Sequence, residues 1–256
     1  MKKIVLFLCL LVASAIAPAA VNDIRAEMAA VDRAFIPVWA LTVEGRLDLA
    51  AKAMMYLQRE WYGFKERHYG DKTPDAGWRA DFDRIDALIR EADSILDGGR
   101  FPDLVRAPLE RSATVLAALR QRNGIDYYVD RLTAYRVLVD GIVDAGKDRV
   151  MSRASIDRIA ALHPAARDAW ARLPADGPGA YFRLTATQRE ALPRSIEAES
   201  LALAALGRAL DTNDAAAISA AAIAIRPPFL SIYYMFGDFH ALVWVQPDAK
   251  GCRGND

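Results

Sequence analysis

Cysteine is nearly missing from this chain. Of its two, Cys9 sits in an apolar stretch at the start and Cys252 in the terminal KGCRGND. If the leading segment is removed, only Cys252 remains, so no internal disulfide, cysteine-based metal site or covalent c-type haem can be assembled. Cys252 is then either a thiol able to pair with another chain or a tail residue of no consequence. Histidine is almost as scarce, with three in 256 residues, and no glutamate has a histidine three positions later. That excludes the Glu-x-x-His pair by which helical bundles build di-iron centres. There is no G-x-S-x-G elbow, no H-E-x-x-H and no lysine-bearing glycine-rich phosphate loop, so no hydrolytic or nucleotide-binding machinery is visible. A surplus of one charge is lacking too: 33 basic residues face 33 acidic ones, and a surface made for nucleic acid is not expected.

What the chain does have begins with MKKIVLFLCLLVASAIAPAA. Two lysines, an apolar run from Ile4 to about Val12 and a string of alanines have the layout of a secretory signal peptide, with Ala17 or Ala20 as the cleavage position. The expected location is the periplasm or the exterior. The residues before Cys9 are too large for a lipid-modification site.

Helical spacing dominates the remainder. Ile125, Tyr128, Leu132, Tyr135, Val139 and Ile142 recur every three or four residues, as do Trp78, Phe82, Ile85, Ile89, Ala92 and Leu96, and Met28, Val31, Phe35, Val38 and Thr42. Each set occupies one helix face. Gly45, the GDKTPDAG stretch, Gly98, Gly99, Gly124 and Gly146 follow these runs as helix stops. The expected helices span 24–44, 47–68, 77–97, 102–122 and 125–146. Short connections make antiparallel neighbours, so 21–146 reads as an up-and-down all-α bundle. Residues 147–193, with Pro164, Pro174, Pro178 and Pro193, read as a connector with short helices at 153–162 and 165–172. Two longer helices, 194–211 and 214–236, form a hairpin over 194–240 that packs on the bundle, and 241–256 is a tail.

The second hairpin helix contains IRPPFLSIYYMFGDFH. Ala215 to Phe236 is long enough for a membrane span, but Arg226 stands at its centre and Pro227 and Pro228 remove two backbone donors. A kinked or restarted helix, with an aromatic stripe of Phe229, Ile232 and Phe236, is the better account, and no transmembrane span is expected after the leading segment.

Two candidate sites follow. His68 and His240 each end an aromatic helix, and Met54 and Met235 lie in the same two segments. Imidazole with thioether suits copper or a b-type haem. Separately, Asp130 and Tyr128, with Glu110 on the preceding helix, can present carboxylates and a hydroxyl to a cation or polar ligand. Structural roles compete for each: capping for the histidines, arginine pairing for the acids, and for Asp126 a place in a first helical turn.

The segment LERSATVLAALRQRNGIDYYVDRLTAYRVLVDGIV resembles uncharacterised exported bacterial helical-bundle proteins through Leu109, Glu110, Leu116, Leu119, Arg120, Gly124, Ile125, Asp126, Tyr127, Asp130, Leu132 and Thr133. The resemblance covers about 35 residues and implies a fold and a compartment, without an activity. Arg136 stands where that pattern has a histidine. The expected function is binding of a metal, haem or small ligand between helices. The alternative is an interaction module acting through a helix face, with a protein partner or a second copy. An enzyme is the weakest reading.

Overall fold

The computed structural model describes residues 24–71, 75–99, 101–148, 150–174 and 177–240. The expected leading segment and Cys252 lie outside them. The fold is an all-α, up-and-down bundle extended by a C-terminal helix pair, with no strand among the described residues. Its helices are α1 (Ile24–Val43), α2 (Leu47–His68), α3 (Trp78–Asp97), α4 (Pro102–Arg122), α5 (Tyr128–Gly146), α6 (Arg153–Ala171), α7 (Ala186–Thr212), α8 (Ala215–Ala224) and α9 (Arg226–Tyr233). Single 3₁₀ turns occupy Ala180–Phe182 and Tyr234–Phe236.

The first four helices close a ring in which α1 packs on α2 and α4, and α3 on α2 and α4. The seams read from spacing are its core: Met28, Val38, Phe82 and Leu119 are all buried. The expected boundary at 146 does not follow the packing. After α4 the chain turns through Gly124, whose φ of +67° suits a residue without a side chain, and α5 packs on α6, α8 and α9. Consecutive helices α4 and α5 barely touch.

Three further expectations are corrected. α5 starts at Tyr128, because Tyr127 is extended (φ −143°, ψ 120°); Asp126 therefore precedes the helix, and its carboxylate is chelated by Arg131 at 2.9 and 3.0 Å. The two short helices of the connector are one, α6, which runs through Pro164. α7 begins at Ala186 and runs through Pro193. In both cases proline loses to its surroundings: buried His163 and Ala166 flank Pro164, and a reciprocal cap between Thr185 and Gln188 starts α7 well before Pro193. A proline inside a helix costs about 3 kcal/mol, which burial of a few large side chains offsets.

The 215–236 stretch is apolar and long enough to cross a membrane by composition, yet it is two helices with a turn at Ile225. Asp214 caps α8 through the amides of Ala216 and Ala217. α8 approaches α5 closely: Ser219 donates to the Gly146 carbonyl at 2.7 Å, and a Cβ on Gly146 would lie 2.8 Å from that of Ala222.

Candidate functional site

Between α4 and α5 lies an open groove of about 710 Å³. Its walls are small or apolar, with Ala117 and Ala118 from α4 and Ala134 and Val137 from α5, and Asp126, Asp130 and Arg131 supply charge. The large apolar side chains Leu109, Leu119, Leu132 and Val139 of the two helices are buried away from the groove. Two ionic bridges, roughly 15 Å apart along α4, span the gap instead of a packed seam.

The first bridge centres on Arg120, 2% exposed. Its Nε and Nη2 donate to Asp130 at 2.9 and 2.6 Å, and Nη1 donates to Asp32 of α1 at 3.2 Å. The guanidinium lies 4.0 Å from the Tyr127 ring centroid, an arrangement in which the planar fork meets carboxylates at its edge and an aromatic on its face. Burial disfavours the charge on Arg120, but the two carboxylates overcome it and raise its pKa. For Asp130 the balance runs the other way. Burial outweighs Arg120, helped by the neighbouring Asp32, and its pKa is pushed up to about 6. Tyr127 is pushed up by burial and then by Asp32; its hydroxyl is buried and meets no partner at hydrogen-bonding geometry.

The second bridge centres on Arg136, also 2% exposed. Nη1 donates to Glu110 of α4 at 3.1 Å and to Asp140 at 3.3 Å, and the guanidinium lies 4.3 Å from the Trp39 ring centroid. Arg106 adds a 3.2 Å contact to Glu110, and Arg226 lies 3.7 Å from Asp140. Burial raises the pKa of Asp140 against the pull of Arg136.

The sequence-level candidates are therefore divided. Asp130 lines the groove and Glu110 lies one turn beyond its end, but Tyr128 turns inward onto Phe236, ring centroids 5.5 Å apart, with its hydroxyl buried and unpartnered. The histidines and methionines do not assemble. His68 Nδ1 lies 2.7 Å from Asp71 and Nε2 lies 3.1 Å from Glu27, so carboxylates occupy both ring positions, and a metal needs one of those lone pairs free. Met54 is buried about four turns back along α2, roughly 21 Å away. His240 is exposed and follows Asp238, whose amide donates to Arg33 in the middle of α1. Met235 lies beside α7, its carbonyl accepting from Gln188 at 2.9 Å. No group of three or more His, Cys, Asp or Glu able to hold a metal occurs among the described residues, so these side chains do not fit copper, and they offer no common ligand pair to a haem.

Reading the sequence also missed a buried acid in the C-terminal layer. Glu199 of α7 has no exposed surface and accepts a short hydrogen bond from the Tyr135 hydroxyl. Burial raises its pKa to about 7, opposed by Tyr135 and by the Phe229 amide. That amide is the first one after Pro227 and Pro228, so Glu199 faces the first turn of α9, in which the two prolines sit. It went unseen because it stands in the alanine- and leucine-rich run AESLALAAL, where an acid on an outer face looks the same. Arg120 and Arg136 left a signal: each falls at a position in step with a seam.

Comparison of the chain with protein-family models, curated proteins and solved structures finds no match.

Proposed function

We propose that this is an exported helical protein that holds a small, partly apolar molecule in the groove between α4 and α5. One observation carries the reading: two helices joined by a short turn stay apart, over a volume typical of small-molecule sites, with a carboxylate at the floor and alanines along the walls. The signal-like start and the resemblance of residues 109–133 to exported bundles support the compartment.

The test is to purify the protein from its own host and release any small molecule it carries, beside an Ala118→Trp variant that fills the groove. A molecule retained by the wild type and lost from the variant, with helical circular dichroism unchanged, supports the reading. Identical content in both proteins overturns it.

A second reading, an interaction module, draws on exposed apolar side chains of α7 and α8, Leu201 at 61% and Ile223 at 40%. Light scattering over a wide concentration range decides it: a strict monomer without a captured partner removes it.

A further inference from the structure

We propose that the ligand of the α4–α5 groove is an organic cation, with an ammonium head beside Asp130 and an apolar body along Ala117, Ala134 and Val137. This rests on the groove being the binding site and adds the chemical class of what enters it.

The argument is one of charge. Two guanidinium groups, Arg120 and Arg131, face three carboxylates, Asp32, Asp126 and Asp130, which leaves a surplus of one negative charge. Helix ends do not cancel it. The C-terminus of α4 and the N-terminus of α5 adjoin through a short turn, so their opposite partial charges offset each other. Both guanidiniums are committed. Arg120 uses its edge on Asp32 and Asp130 and its face on Tyr127. Arg131 holds Asp126 and the Arg172 carbonyl, the latter at 2.8 Å. An anion entering the groove would meet two guanidiniums already turned to carboxylates and a net negative surround.

A cation finds the reverse. Asp130 is 20% exposed on its side chain and lines the groove. Each of its oxygens accepts from Arg120 and keeps a further lone pair. Tyr127, another lining residue, has its hydroxyl buried beside the carboxylate of Asp32. A bare metal ion is a poor occupant, because no set of three ligating side chains converges among the described residues. The apolar walls call for a hydrocarbon body. Burial raises the pKa of Asp130 to about 6, so the preference depends on pH.

The experiment uses the full chain and three probes of one shape: phenethylammonium, phenethyl alcohol and 3-phenylpropionate, titrated calorimetrically at about pH 8 and about pH 5. At about pH 8 the ammonium is expected to bind about tenfold tighter than the alcohol, with the carboxylate weakest. At about pH 5, with Asp130 largely protonated, the ammonium's advantage is expected to fall to about twofold or less while the alcohol's affinity is unchanged. Asp130→Asn is expected to remove the advantage at both pH values; if that variant does not fold, the pH series on the wild type decides.

Equal binding of ammonium and alcohol at about pH 8, a tighter carboxylate, or an advantage that ignores pH overturns the cation assignment. If Ala118→Trp still abolishes binding of the probes, the groove reading survives that failure. Probes that bind Ala118→Trp as they bind the wild type, or none binding at about 10 mM, overturn both.

Discussion

Arg120 and Arg136 are seated alike, each over an aromatic ring and bonded to carboxylates, but their surroundings carry opposite surplus charge. Around Arg120 two acids share one guanidinium. Around Arg136, with Arg106 and Arg226, three guanidiniums share Glu110 and Asp140. The partners differ in access to water as well: the Asp32 side chain is 7% exposed and that of Glu110 is 34% exposed. A buried ion pair is costly to form and more costly to break singly, and the cost falls on whichever partner cannot reach solvent. The same side chain on the same kind of ring should therefore matter differently at the two ends of the groove.

The sharpest way to break the comparison is to remove each arginine in turn. Arg120→Met strands Asp32 and Asp130 together and should cost about 3 to 5 kcal/mol in urea unfolding. Arg136→Met leaves Glu110 with Arg106 and water, and Asp140 with Arg226, so about 1 to 3 kcal/mol is expected. Equal losses would mean that the aromatic stacking, common to both, is what matters.

Glu199 supplies the contrasting case of a buried acid with no guanidinium on it. The folded protein keeps its proton up to about pH 7, whereas an unfolded chain releases it near about 4.3. Between those values the folded state binds more protons, so stability falls as pH rises across that window, by on the order of 3 kcal/mol. Glu199→Gln should flatten this part of the profile and be the more stable protein at about pH 8. A wild-type profile that rises from pH 5 to 7 and is unchanged in the variant would place the carboxylate in contact with water or an unseen cation.

The smallest effect concerns how α5 is held on its other side. Gly146→Ala places a Cβ against Ala222 and should cost about 1 to 2 kcal/mol by overpacking. Ala222→Gly in the same protein should recover part of it, while Ala222→Gly alone should not stabilise. No recovery would show that the conformation at Gly146, rather than the α5–α8 contact, sets the need for glycine.

Much of the fold was legible. Apart from Ile125, which is half-buried in the turn before α5, the seam residues from Met28 to Ile142 are buried, and α2, α3 and α4 end within two residues of the glycine stops. The prolines misled where a cap or a buried neighbour outweighed them, as at Pro164 and Pro193. Of the candidate ligand-binding residues read from the sequence, only Asp130 lines the groove, with Glu110 one turn beyond its end. Its other determinant, that α4 and α5 do not close on each other, is a property of where two helices find their partners and has no local signature.

By itself the sequence determined the class of fold, the periodicity of each helix and the break just before Pro227 and Pro228, because local backbone preference and the 3.6-residue repeat act within a few residues of chain. Tertiary structure alone decided that α5 joins the C-terminal helices, that Asp32 meets Arg120 across 88 residues, and that Glu199 comes to rest against Tyr135 and the start of α9. Those are long-range choices, made by which apolar faces bury one another, and the charges between them take the partners that this packing leaves within reach.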